Sequence, residues 1–155
     1  MDPITRTRGD YEISTDKSRL DPVAIHDYLK DAYWCKGIPF EFVERAIAHT
    51  ALCFGMYYQN QQVGYARIIS DITTFAYLAD VYIHPGHQGH GLGKWLMECI
   101  MAHPDLKHIR RWTLATKDAH GLYEQYGFKP LARPQRLMEI VDLDIYQKIN
   151  QENQT

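Results

Sequence analysis

One stretch constrains this chain more than any other: Phe75-Ala76-Tyr77-Leu78-Ala79-Asp80-Val81-Tyr82-Ile83, a turn at His84-Pro85-Gly86, and then Gln88-Gly89-His90-Gly91-Leu92-Gly93. Aromatic and β-branched residues dominate the first part, which predicts a largely buried strand. Proline and glycine end it. Leu92, Trp95, Leu96, Cys99 and Ile100 then recur at helical spacing, so a helix packed on a core begins at the glycines. Strand, glycine loop and helix in that order form a backbone cradle. The glycines leave successive N–H groups unobstructed, and the positive end of a helix dipole lies behind them, an arrangement suited to a diphosphate. The plainer alternative is a glycine turn that merely caps a helix.

Two familiar phosphate motifs fit poorly. A Walker A loop ends in Gly-Lys-Ser or Gly-Lys-Thr, whereas Gly93-Lys94 is followed by Trp95, so the magnesium-binding hydroxyl is missing. The dinucleotide fingerprint is Gly-x-Gly-x-x-Gly with an acidic residue downstream, and the spacing Gly89, Gly91, Gly93 departs from it.

The segment instead resembles the acetyl-coenzyme A loop of the GNAT superfamily of N-acetyltransferases, whose pattern is Gln or Arg, x, x, Gly, x, Gly or Ala; Gln88, Gly91 and Gly93 meet it. The resemblance extends back through Leu78 to Pro85, similar to the family's central strand. It extends forward to Ala119-His120-Gly121-Leu122-Tyr123-Glu124-Gln125-Tyr126-Gly127-Phe128, similar to its second signature, Ala-x-x-Leu-Tyr-x-x-x-Gly-Phe. An Asn often found seven residues before that Tyr is Thr116 here. The two motifs lie in the family's order and cover the second half of the chain; the first half matches only in layout.

Length and composition agree with one domain over residues 1–155: 155 residues with 45% hydrophobic side chains can bury a substantial core. A formal charge of −2 offers no footprint for nucleic acid, and the short basic run from Lys107 to Arg111 reads as a solvated connection. Cys35, Cys53 and Cys99 lie far apart with no metal or disulfide spacing, and Cys53 and Cys99 sit in apolar patterns that predict buried thiols. Neither a signal-peptide run nor a stretch of ~20 apolar residues is present, so the expectation is a cytoplasmic protein without membrane or metal partners.

Along the chain, residues 1–9 read as a flexible lead and Tyr11-Glu12-Ile13-Ser14 as a short strand. Asp21-Pro22 starts a helix with the stripe Ile25, Tyr28, Leu29, Ala32, Tyr33, broken at Gly37. Pro39 opens a second helix to His49, with Phe42, Val43, Ala46 and Ile47 inward. Ala51–Tyr58 and Val63–Asp71 predict a hairpin about the turn Gln59-Asn60-Gln61-Gln62. After the glycine loop come a helix to Ala102, a strand Arg111–Ala115, a short helix capped by Asp118 and ending at Gly127, and a last strand Arg136–Ile140. Residues 141–155 read as a polar, fraying tail. The order suits a mixed α/β fold with helices on both faces of the sheet. The resemblance implies a mixed, mostly antiparallel twisted sheet of about six to seven strands with about four helices.

The resemblance also implies the chemistry, acyl transfer from acetyl-CoA to an amine. The pantetheine arm would lie along Val81, Tyr82 and Ile83 like an added strand, and the diphosphate would rest on Gln88, Gly89, His90, Gly91, Leu92, Gly93 and Lys94. An N–H near Val81 would polarise the thioester carbonyl. The role of proton donor to the leaving thiolate carries over to Tyr123, with Tyr126 one helical turn on as a competitor. An alkylamine is neutral in only ~0.04% of molecules at pH 7, a handicap of roughly 4–5 kcal/mol, so a base is useful. Asp80, which interrupts an apolar strand, is the first candidate, against a structural ion pair; His84, His120, Glu41 and Asp71 stand behind it. Tyr28, Tyr33, Trp34, Phe40 and Phe42 cluster in the early helices, where Trp34 and Phe40 would line a pocket for a small amine.

The expected function is direct transfer to a small-molecule amine in a ternary complex. No cysteine has an activating neighbour in sequence for a covalent relay. The alternatives are a peptide or protein amine as acceptor, and a noncatalytic module that binds acyl-CoA and reports it to a partner. An exposed edge strand leaves a homodimer open.

Overall fold

A computed structural model describes residues 2–154. Among these residues six strands form one sheet in sequence order: β1 (Thr5–Arg8), β2 (Tyr11–Ser14), β3 (Leu52–Tyr58), β4 (Gln61–Ser70), β5 (Phe75–Ile83) and β6 (Arg111–Leu114). All neighbours are antiparallel except β5 and β6, which are parallel. Among the described residues five helices complete the fold: α1 (Pro22–Leu29), α2 (Phe40–His49), α3 (Leu92–Met101), α4 (His120–Glu124) and α5 (Ile145–Glu152). No helix among the described residues is long and apolar enough to cross a membrane.

The sheet separates two cores. Side chains alternate across it, so Phe54, Ala66 and Leu78 face α3 with Leu96 and Ile100, while Cys53, Tyr65 and Tyr82 face α1 and α2 with Ile25, Leu29, Val43 and Ile47. Each fully buried aliphatic side chain contributes roughly 1.5–3 kcal/mol of transfer free energy. On α3 the buried stripe is Leu92, Trp95, Leu96, Met97 and Ile100; Cys99 is only half-buried, whereas Cys53 is fully buried.

Local chemistry explains most boundaries. The Asp21 carboxylate accepts from the Ala24 N–H at 3.0 Å, and Pro22 occupies the first turn of α1. That helix stops at Leu29, so Ala32 and Tyr33 lie in the following turns. The β3–β4 hairpin is tighter than expected. Gln59 and Asn60 both have positive φ, at 51° and 67°, and make a two-residue turn that matches strand twist, leaving Gln61 and Gln62 in β4.

Three expectations fail at the chain ends. In the lead, Thr5–Arg8 is an edge strand paired with Tyr11–Ser14; all four residues are exposed, so backbone pairing holds it and no apolar pattern announces it. No strand forms over Arg136–Ile140, where a single helical turn at Pro134–Arg136 leads into an exposed segment without regular structure. The tail does not fray as expected through the described residues: α5 packs the Tyr146 ring on Phe42 at 5.8 Å, and the Asn150 amide donates to the Gly37 carbonyl at 2.9 Å. Its polar composition concealed a helix that docks through Tyr146 and Asn150 while Ile145 stays exposed. Asp118 does not cap α4; the Thr116 hydroxyl instead accepts from the Ala119 N–H at 3.1 Å.

Candidate active site

Strand β5 is the axis of the site. It pairs with β4 through to Ile83 but with β6 only over Phe75 to Leu78, so its second edge is open from Ala79 onward. The cause lies in the ladder itself. Tyr65 faces Tyr82 and Arg67 faces Ala79, which leaves Asp80 and Val81 opposite Ala66 alone: a β-bulge, with Asp80 at φ 55°. The parallel strands part there, and an extended chain can enter between them.

The open edge leads to the glycines. Gly89 and Gly91 have φ of 86° and 72°, a region glycine enters without strain, and a Cβ built on either would meet nothing within 4 Å. Gly91 precedes the first turn of α3, so the N–H groups of that turn point into the same open space. Val81, Tyr82, Ile83, Gln88, Gly89, Gly91, Leu92, Gly93 and Lys94 all line one cleft of about 780 Å³. His90 is exposed and does not. The Gln88 side chain reaches back to donate to the Ile83 carbonyl at 2.9 Å, fixing the loop against the end of the strand.

A second cleft, of about 310 Å³, lies beside the bulge. The two share Tyr33, Trp34, Val81, Asp118, Ala119 and Tyr123, and so meet at the mouth of the fork. Tyr123 is 9% exposed, and its hydroxyl has no hydrogen-bond partner among the described residues. Burial, then nearby Tyr33 and Asp118, push that hydroxyl up to about 12, so it is protonated at neutral pH. Tyr126 is excluded from the same role because its hydroxyl donates to the Lys94 carbonyl at 3.0 Å and ties α4 to α3.

Asp80 sits at this junction with both oxygens engaged. Trp34 Nε1 donates to Oδ1 at 2.8 Å, and Arg67 Nε donates to Oδ2 at 2.5 Å. Arg67 Nη1 also donates to the Thr50 hydroxyl at 3.2 Å. Side-chain exposure is only 19% for Arg67 and 10% for Asp80, so the pair is largely withdrawn from water. Taking a proton would cost Asp80 a charge-assisted bond. The geometry suits a fixed negative charge and an anchor for the bulge better than a free base.

The remaining candidates separate clearly. Trp34 lines both clefts, but Phe40 lines neither: at the start of α2 it turns outward to meet the His26 ring edge-on at 5.5 Å. His84 is exposed and accepts from the Gly86 N–H, and His120 is exposed on the far side of α4 facing a different groove. Asp71 caps the β4–β5 turn, and the bond it accepts from the Thr74 hydroxyl, then those from the Thr74, Thr73 and Phe75 N–H groups, hold its carboxyl below the usual range. Glu41 is exposed, outside both clefts. Cys35 lines the second cleft, yet burial, then the charge of Asp80, push its thiol up to about 12, far from a nucleophilic thiolate.

Two contributors, Arg67 and Tyr146, escaped the sequence reading, and Tyr33, named there only within an aromatic cluster, makes a contact that reading did not contain. Arg67 had a signal, since a lone arginine in one apolar strand and a lone aspartate in the next are natural partners. Tyr146 lines the second cleft from α5, where Ile145, Tyr146 and Ile149 carry a faint helical stripe. Tyr33 accepts from the Lys117 N–H at 2.9 Å and carries the Lys117 ammonium 5.5 Å above its ring, joining the α1 side of the mouth to the β6 side; nothing local encodes that contact.

Comparison with known proteins agrees with this geometry. Residues 49–130 match the family model of the acetyltransferase (GNAT) domain. A Gibberella zeae protein named as an acetyltransferase is 34% identical over 142 residues, covering 78% of this chain and 80% of that one. A Xanthomonas campestris structure described as a GNAT-family acetyltransferase superposes with a TM-score of 0.85 at 52% identity, over 88% of this chain and 96% of the other. A Clostridium acetobutylicum protein solved with acetyl-CoA shares the fold, with a TM-score of 0.61 at 16% identity over 84% and 94% of the two chains. A glycine cradle on an open strand edge, a buried tyrosine at the fork and these matches together make the chain a member of the GNAT family of acetyltransferases.

Proposed function

We propose that this acyltransferase moves the acetyl group of acetyl-CoA to the amine of a small molecule by direct attack in a ternary complex. The observation that carries the proposal is the meeting of two clefts at Val81 and Tyr123, one leading from the glycines and one from Trp34 and Asp80. The first accommodates a pantetheine arm along the open edge of β5, with the diphosphate on the N–H groups of the loop. Acetyl-CoA supplies an activated thioester whose acyl carbon is placed at the bulge.

The amine enters from the second cleft. Its nitrogen forms the C–N bond to the acyl carbon, the C–S bond breaks, and Tyr123 gives its proton to the departing sulfur. The phenol recovers a proton through water from the ammonium that the attack creates, so protons balance over the cycle. The carboxylate of Asp80, locked by Arg67 and Trp34, draws a cationic amine to the mouth and holds it there before water removes its proton. A second cleft of about 310 Å³ is at the small end of ligand sites, which favours a small acceptor over a folded protein surface. Three free cysteines and dependence on acetyl-CoA fit a cytoplasmic setting.

The test is a thiol-release assay with a panel of small primary amines beside a lysine-containing peptide, run with a calorimetric titration of acetyl-CoA. Turnover of small amines well above the peptide is expected. A faster peptide reaction makes the acceptor macromolecular, and micromolar binding with no turnover on any amine identifies a noncatalytic acyl-CoA-binding module.

A further inference from the structure

His87 has no part in the chemistry described so far. It closes the helical turn Pro85–His87 between β5 and the glycines, is half-buried, and lines the cleft that runs from Val81 to the glycine cradle. Tyr11 and Tyr58 face each other across β2 and β3 with their rings 4.9 Å apart, and the imidazole lies against both, edge-on to Tyr11 at 5.7 Å and tilted against Tyr58 at 5.2 Å. Any flat ring would serve that packing. The Tyr11 hydroxyl, however, meets Nδ1 of His87 at 2.8 Å, a bond that a phenylalanine could not make.

A hydrogen bond at one nitrogen of an imidazole decides what the other can do. With the Tyr11 hydroxyl donating to Nδ1, the ring carries its proton on Nε2, a donor with no partner among the described residues. The ring cannot easily swing away, because its turn is tied down on every side. The His84 N–H donates to the Val63 carbonyl at 2.7 Å and the His87 N–H to the His84 carbonyl at 2.8 Å, while the Gln88 side chain holds the Ile83 carbonyl. No carboxylate pairs with His87 among the described residues. The two that line the same cleft, Asp31 and Asp118, belong to the segments after α1 and β6.

We propose that the Nε2–H of His87 donates to a diphosphate oxygen of acetyl-CoA, and that Tyr11 is the positioning residue that keeps the ring in the tautomer able to do so. The inference rests on the acetyl-CoA reading of this cleft. Gln88 and Gly89, the next two residues, already belong to the cradle, so a donor on His87 adds a side-chain bond to the backbone N–H groups that receive the same anion. A hydrogen bond to an anionic oxygen is about twice as strong as one between neutral groups. An imidazole fixed at its far nitrogen meets that oxygen in one direction and spends little side-chain entropy on doing so. The arrangement also makes the first turn of the sheet part of the donor site, since Tyr11 lies 76 positions before the histidine it orients.

Imidazole nitrogen spectra of the ¹⁵N-labelled wild type, recorded as acetyl-CoA is added, test the tautomer and the contact together. The expected result is a His87 ring protonated at Nε2 and not at Nδ1, with the Nε2 resonance shifting as the ligand saturates. Calorimetry then separates hydrogen bonding from packing. His87→Phe keeps a ring against Tyr11 and Tyr58 and should weaken acetyl-CoA binding about 10-fold, whereas His87→Gln gives up the ring but can present an amide N–H in place of Nε2 and should stay within about threefold of the wild type. Tyr11→Phe leaves the tautomer unfixed and should weaken binding about three- to fivefold. A ring protonated at Nδ1 in the free protein overturns the proposal, as does an Nε2 resonance unmoved at saturation. Tighter binding by the phenylalanine variant than by the glutamine variant makes His87 a packing residue and overturns it too. A wild type that binds no acetyl-CoA removes the donor reading and this inference with it; normal wild-type binding with any of the other failures removes the inference alone.

Discussion

The two clefts that meet at Tyr123 are made by different means. The proposed acetyl-CoA side is backbone: an open strand edge, two glycines at positive φ and the first turn of α3, all within residues 79–94. The proposed acceptor side is a convergence of side chains from five places, Tyr33 and Trp34 after α1, Arg67 on β4, Asp80 on β5, Tyr123 on α4 and Tyr146 on α5. A backbone cradle tolerates change in most side chains around it, because the groups that bind are common to every residue. A side-chain convergence changes character with each substitution. One scaffold can therefore keep its donor and vary its acceptor.

The largest expected effect falls where the two meet. Tyr123→Phe should lower kcat about 100-fold or more while leaving the acetyl-CoA dissociation constant within about twofold, since only the proton and not the packing is removed. Equal losses in both would make Tyr123 a wall of the cleft and erase the distinction. In the same assay, the kcat profile of the wild type should rise with pH as the amine loses its proton and show no alkaline fall up to about pH 10. Burial has raised the tyrosine toward 12, so it keeps its proton through that window; a fall centred near the ordinary phenol value of about 10 would contradict this.

Next in size is the bulge. Asp80→Ala leaves Arg67 largely withdrawn from water without its partner, and should cost about 2–3 kcal/mol in denaturant unfolding, at the low end for buried pairs because both side chains keep some solvent contact. Asp80→Ala/Arg67→Met should recover most of that stability but not turnover, separating the anchor from the charge that attracts the amine. Recovery of turnover with the apolar pair would remove Asp80 from the mechanism. Gly91→Val comes third. Strain at φ 72° and a side chain in the cradle should weaken acetyl-CoA binding roughly 10- to 30-fold by calorimetry, with the acceptor KM unmoved. Tyr146→Ala is the mildest and sharpens the other side, raising the acceptor KM roughly three- to tenfold with acetyl-CoA affinity intact.

The same contrast governs what could be read before folding. The proposed acetyl-CoA side was visible because it is local: Phe75–Ile83 and the residues around Gly91 carry their strand, turn and helix signals within twenty positions. Cleft-lining positions followed from that, with His90 the exception, since an exposed loop tip gives no sign of where its side chain turns. On the proposed acceptor side Trp34 lines the cleft and Phe40 does not. Both are large aromatics flanking one glycine, and only the packing of α2 against His26 decides that Phe40 faces away. Tyr146 was missed because a helix of mostly polar residues held by one ring and one amide resembles a frayed tail. The exposed strand Thr5–Arg8 was missed for a related reason, as backbone pairing leaves no hydrophobic period.

By itself the amino-acid sequence determined the alternation of strands and helices, the glycine cradle and the family to which the chain belongs, because each depends on propensities and motifs that span a few turns or strands. Tertiary structure alone decided that β5 and β6 part at Asp80, that Arg67 and Trp34 lock that carboxylate, that Tyr33 and Lys117 close the mouth and that α5 walls the second cleft. Those contacts join residues 13 to 113 positions apart. Such pairings are selected by how whole elements pack, and no periodicity in a single segment records which distant side chain will meet it.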